Sequence, residues 1–151
     1  MTVDKPWWPQ TPWYLLDVPV HADRRGNLFA VEAERIVPFV VKRVYWITQW
    51  PQGMKRGNHA HKQGEQVYFC LSGSVHFTMV KRGPNGITKE EIVLSDSHSA
   101  DNHSGLYIGP MVWHSLCAQE EGSIILALAS NYYTEEDYIR DYEEAVRGGG
   151  A

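Results

Sequence analysis

Cysteine is scarce in this chain: only Cys70 and Cys117, with no CxxC spacing. Both lie in apolar runs, which predicts buried free thiols in a reducing compartment and argues against a disulfide scaffold. Long hydrophobic runs are missing too. No stretch reaches the roughly 18 apolar residues that a membrane-crossing helix needs. Positive charge is in deficit, with a net charge of -4 at pH 7. That leaves no basic footprint for nucleic acid, although a local cluster of arginines can still hold a small anion. The opening residues, MTVDKPWWPQTPW, lack the basic-then-apolar order of a secretory signal. The cytoplasm is the expected location.

What the chain does have is enough apolar material for one core. Its 151 residues are 43% hydrophobic and 21% charged, which fits one globular domain and not a disordered segment. Residues 1–12 read as an aromatic N-terminal extension and 147–151 as a disordered tail. Between them the pattern is mostly strand. Segments 12–17, 27–34, 39–50, 65–72, 74–82, 86–94, 105–109, 111–118 and 123–130 are predicted strands, separated by Gly- and Pro-containing turns. In SVHFTMV, Val75, Phe77 and Met79 share one face while Ser74, His76 and Thr78 share the other. GSIILALAS is apolar on both faces, as a central strand would be. One helix is expected, TEEDYIRDYEEAV, with Thr134 as N-cap and acids in its first turn. Many short strands with such turns imply an all-β barrel or jelly roll.

The stretch RGNHAHKQGEQ carries the chemistry. His59 and His61, two apart on a strand, project to one face. GPMVWH offers a third imidazole, His114. Two readings compete. Three histidines suit a divalent ion, but a carboxylate ligand is not in place. Histidines also take and return protons near neutrality, which suits an isomerisation between adjacent carbons. A third, bland reading has the pair satisfying each other and nearby backbone.

The spacing resembles the signature block of the cupins, which are small jelly-roll barrels: Gly53, His59, His61 and Gly73 keep it. The position that is a metal-binding Glu in that block falls on Gln66. Glu65 would leave one residue too many before Gly73, and a slip of one turns a strand's side chains to the other face. The wider chain resembles the sugar 3,4-ketoisomerases, or WxcM-like cupins. The resemblance runs through RRGNLFAVE, VPFVVKRVYWI, KRGNHAHKQGEQVYFCLSGSV, GLYIGPMVWH and NYYTEEDYIRDYEEAV.

This resemblance implies a metal-independent isomerase without a cofactor, acting on dTDP-4-keto-6-deoxyglucose through a C3–C4 enediol. It implies catalytic roles for His61, His59, Tyr45 and Arg25. Substrate-binding roles fall to Arg56, Arg43, Lys62, Gln66 and His114, with Arg56 suited to a diphosphate. It also implies a homodimer with exchanged N-terminal strands. The alternatives are a metal-dependent cupin oxygenase, a nucleotide-sugar 3,5-epimerase, or a non-catalytic binding cupin. Trp46, Tyr68, Tyr107 and Trp113 are candidates to stack on a thymine. His21, His76, His98 and His103 read as surface or loop residues.

Overall fold

The computed structural model describes residues 8–147. Their strands form two antiparallel sheets. The first, in the order β2-β1-β8-β5-β10-β3, contains β1 (Trp13–Asp23), β2 (Gly26–Phe29), β3 (Arg43–Trp50), β5 (Gln66–Ser72), β8 (Asn102–Ile108) and β10 (Ser123–Ala129). The second, in the order β11-β4-β9-β6-β7, contains β4 (Lys55–His61), β6 (Ser74–Gly83), β7 (Gly86–Ser95), β9 (Trp113–Ala118) and β11 (Tyr138–Ile139). Most spatial neighbours are distant in sequence, as in the expected jelly roll.

The core lies between the sheets. Tyr68, Leu106 and Ile125 from the first meet Phe77, Met79 and Leu116 from the second. Alternation places them: in β6, Val75, Phe77 and Met79 are buried while His76 and Thr78 are half-buried. The central strand β10 is apolar on both faces because both are covered. Ile125 and Ala127 face the barrel. Leu128 faces outward onto a second cluster, where Val37 and Phe39 cover Val67, Phe69 and Tyr107. Burial pushes the Cys70 thiol up to about 11, so it packs as a small apolar group.

Several boundaries differ from the expectation. Segment 27–34 is strand only to Phe29, then becomes a loop held by a single Ala33–Val37 bridge. Segment 39–50 becomes strand only at Arg43, because Phe39 turns to cover the outer face of the first sheet. The histidine block, absent from the predicted strands, is β4. His103 is not a surface residue: it is buried on β8, beside Phe69 and within 3.1 Å of the Ser95 carbonyl.

The largest correction is at the C-terminus. No helix runs from Thr134. A 3₁₀ turn spans Glu135–Asp137, β11 follows, and a π-helical turn covers Glu143–Arg147. Thr134 makes no side-chain cap. Backbone pairing of Tyr138 with His61 and Ile139 with Ala60 overrides the helical pattern. Ile139, Ala145 and Val146 then bury against Ala60 and Val80. Arg147 therefore belongs to an ordered turn, while the rest of the expected tail, and residues 1–7 of the extension, lie outside the described residues.

Candidate active site

The site lies at the end of the barrel where β4, β9, β5, β3 and β11 meet. A β-bulge sets the histidines. The β4–β9 register shifts between Gly57 and His59, with Gly57 at φ 82° and Asn58 at φ 55°. A methyl group on Gly57 would lie 3.0 Å from the His114 carbonyl oxygen, so this turn needs glycine. Past the bulge His59 sits opposite His114, and His61 opposite Tyr138.

The three imidazoles form one cluster. Ring centroids lie 5.0 Å apart for His59–His61, 4.8 Å for His59–His114 and 5.8 Å for His61–His114. Tyr138 closes the open side, 4.9 Å from His59 and 4.6 Å from His61. His61 and His114 are buried and His59 is half-buried. Behind them stands a hydrogen-bonded row. Gln66 Nε2 lies 3.1 Å from His61 Nε2, and Gln66 Oε1 accepts the hydroxyls of Tyr45, at 2.8 Å, and of Tyr68. His114 Nδ1 lies 3.0 Å from the Val112 carbonyl oxygen. His59 Nδ1 is buried with no hydrogen-bond partner among the described residues.

Burial holds all three imidazoles neutral. His114 is pushed down to about 3, by burial first and then by His59. His59 is pushed down to about 4, by burial and then by His61. His61 is also lowered by burial, with the Asp137 carboxylate opposing the shift. Burial raises Tyr45 above the ordinary phenol value, while the Arg43 and Arg56 charges favour its phenolate.

These shifts make stability depend on pH. The unfolded chain binds protons at His59 and His114 near pH 6.5, and the folded protein binds them only near 4 and 3. Stability is therefore complete above pH 6.5 and is lost as pH falls toward 4, at about 1.4 kcal/mol per pH unit for each histidine. Urea midpoints measured from pH 7.5 to 4.5 should drop steadily below pH 6.5, with a shallower slope for His114→Gln. A flat profile would contradict buried neutral imidazoles.

The structure brings together Tyr45, His59, His61, Gln66 and His114. Arg43 lies at the same mouth, its guanidinium 5.5 Å from the Tyr45 ring and 5.6 Å from that of Tyr133, and its Nε is buried without a partner among the described residues. Arg56 is exposed and close enough to Tyr45 to favour its phenolate. The Lys62 side chain points to solvent just after β4. Glu65, one residue from Gln66, turns the other way and accepts the Tyr107 hydroxyl at 2.6 Å. It lines a cavity of about 1090 Å³ on the outer face of the first sheet, with Tyr14 and Lys42, and none of the three clustered histidines reaches that cavity.

Arg25 is not part of the site within one chain. It sits on the β1–β2 turn, 84% exposed and paired with Asp23. The start of β1, Trp13, is the end nearest the site, since Trp13 and Gln66 both pair with Ile108. Ten residue steps along β1 separate Trp13 from Asp23, a span of about 33 Å at the usual rise. Of the four aromatic candidates for a base, Tyr68 touches the cluster. Tyr107 faces outward, Trp46 is exposed, and Trp113 packs on Tyr142.

Sequence reasoning misses Asp137 and Tyr138. Asp137 Oδ2 lies 3.1 Å from His61 Nδ1, and both side chains are buried. Burial pushes the Asp137 carboxyl up, but hydrogen bonds from the Gln63 backbone and Asn131, with the His61 contact, outweigh it and leave it below the usual value. Only the DYIR run, read as helix, hints at these residues.

A two-sheet antiparallel barrel with a histidine cluster facing inward from β4 and β9 defines a cupin. The chain belongs to the family described as FdtA, WxcM-like, C-terminal, whose model matches residues 12–147. It is 42% identical over 121 residues to a TDP-4-oxo-6-deoxy-α-D-glucose-3,4-oxoisomerase of Aneurinibacillus thermoaerophilus, covering 80% of this chain and 81% of that one. The 3,4-ketoisomerase QdtA of Thermoanaerobacterium thermosaccharolyticum, solved with TDP, superposes with a TM-score of 0.80 at 36% identity, covering 93% and 96%. The TDP-quinovose 3,4-ketoisomerase WlaRB of Campylobacter jejuni does so at 0.77 and 36%, covering 89% and 97%.

Proposed function

We propose that this protein is a TDP-sugar 3,4-ketoisomerase acting on dTDP-4-keto-6-deoxyglucose. The observation that carries the reading is the neutral His59–His61–His114 cluster beside Tyr45, in a chain whose relatives are named for this reaction. His61 is the principal base. It takes the proton from C3, next to the C4 ketone, and leaves an enediolate across C3 and C4. The O3 hydroxyl proton passes to O4, and reprotonation at C4 then leaves the ketone at C3. His59 assists in the proton's return. A histidine base contributes about 10²–10⁴-fold, so the developing oxyanion needs a donor as well. Tyr45 is that donor once its hydroxyl turns from Gln66 Oε1 to the substrate oxygen. Arg43 and Arg56 grip the diphosphate: Arg43 Nε is unpartnered, and neither has a carboxylate within ion-pair distance among the described residues.

The reaction needs no metal in this reading. The ligand nitrogens of His59, His61 and His114 lie within 4.8 Å of one another, which a divalent ion could span. The donor chemistry argues otherwise. A neutral amide, Gln66, stands beside His61 where an anionic carboxylate would complete the set. Turnover by chelator-treated protein tests this. Undiminished activity is expected. Activity lost with EDTA and restored by iron, nickel or manganese would contradict it.

The chain works as a cytoplasmic homodimer with exchanged N-terminal strands. Its free thiols suit that compartment, and no helix among the described residues is long and apolar enough to cross a membrane. The outer face of edge strand β3 exposes Val44 and, at 65%, Trp46, a pattern expected of a covered interface. The catalytic role that the resemblance implies for Arg25 requires it to reach the histidines of the other copy, since within one chain it lies at the far end of β1. Mixing inactive Arg25→Ala and His61→Asn subunits should therefore restore about a quarter of wild-type activity, because half the dimers are mixed and each holds one intact site. No recovery would place Arg25 outside the shared site.

A further inference from the structure

We propose that Asp137 is the positioning residue for His61: it fixes the tautomer in which Nε2 carries no hydrogen and can take a proton. The inference rests on the reading of His61 as base.

The tautomer follows from the hydrogen-bonded row. Gln66 Oε1 accepts two hydroxyls, from Tyr45 and Tyr68, so the Gln66 amide must present its nitrogen to His61. That N–H donates to His61 Nε2, which therefore carries no hydrogen. The single ring proton sits on Nδ1 and donates to Asp137 Oδ2 at 3.1 Å.

Asp137 is itself held rigidly. Its Oδ1 accepts the Gln63 N–H at 2.8 Å, while its Oδ2 also accepts from the Gly64 N–H at 3.2 Å and from Asn131 Nδ2 at 3.0 Å. A methyl on Gly64 would lie 2.7 Å from Oδ2, so the turn after β4 closes tightly over the carboxylate. The backbone binds the same residue, with the Lys62 N–H donating to the Asp137 carbonyl oxygen at 2.8 Å. The 3₁₀ turn Glu135–Asp137 and strand β11 thus dock onto β4 and bring a buried negative charge behind the ring. An anion there orients the imidazole and stabilises the imidazolium that forms when His61 takes a proton.

A purely structural carboxylate would cap Gln63 and Gly64 without setting the ring's proton. Two measurements separate the roles. In histidine-labelled unmutated protein, ¹⁵N shifts should show His61 protonated at Nδ1 and bare at Nε2. A proton on Nε2 would overturn the inference. Asp137→Asn should lower kcat by roughly 10²–10⁴-fold while KM changes less than about threefold. A kcat within about threefold of wild type would also overturn it. Should Asp137→Asn fail to fold, the tautomer of the unmutated protein still decides. If the unmutated protein turns over no TDP-keto-sugar, it is the reading of His61 as base that fails, and the ¹⁵N shifts still judge what Asp137 does to the ring.

Discussion

Replacing His61 with Asn should lower kcat for dTDP-4-keto-6-deoxyglucose by about 10²–10⁴-fold and leave dTDP binding within a few-fold of wild type. The asymmetry follows from position. His61 is 2% exposed, buried in the barrel, whereas the arginines proposed to hold the diphosphate stand at the mouth. Asn keeps an N–H donor near the Nδ1 position, in reach of Asp137, so the buried carboxylate keeps that partner. It cannot accept and return a proton near neutrality. Single-turnover kinetics with calorimetry of dTDP binding would check both halves. Loss of dTDP binding in parallel with turnover would mean that His61 holds the site together and is not the base.

Gln66→Glu should have an equally large effect through a different route. The native amide is neutral and donates to His61 Nε2. A carboxylate in that place would put the ring between two anions, the new side chain on one side and Asp137 on the other. An opposite charge at such a distance raises a histidine pKa by about 1–3 units, so His61 would hold its proton and stop acting as a base. The same change would give His59, His61 and His114 the carboxylate that completes a divalent site. The variant should lose turnover by about 10²-fold or more and should carry a divalent ion after expression, measurable by elemental analysis. Full activity with no bound metal would show that the amide at this position has no bearing on protonation.

The heart of this site is legible in the sequence. HAH on a strand puts His59 and His61 on one face by parity, and the cupin-like block places Gln66 at the carboxylate position. His114 follows because β9 pairs with β4, putting it opposite His59. Asp137 and Tyr138 are not legible, for a definite reason. TEEDYIRDYEEAV has the acids and apolar spacing of a helix start, and its local preference is real. The pairing of Tyr138 and Ile139 with β4 outweighs that preference, together with the donors that His61, Gln63, Gly64 and Asn131 turn toward Asp137. Apart from Asn131, these partners come from a distant part of the chain, which no local pattern records. Arg25 illustrates the opposite limit. The sequence marks it as a site residue, yet one chain alone leaves it at the far end of β1. His103 escapes for a simpler reason. Its polar flanks, SDSHSADNHSG, resemble a loop, but Asn102 and His103 already pair with Pro19 and Val18 as the start of β8.

The central claim is that a proton moves between C3 and C4 by way of an uncharged imidazole. Proton NMR of dTDP-4-keto-6-deoxyglucose with metal-stripped protein in D₂O reads that directly. The prediction is a 3-keto product carrying deuterium at C4, with deuterium at C3 in recovered substrate. Deuterium entering at C5, or isomerisation only after a divalent ion is added back, would contradict it.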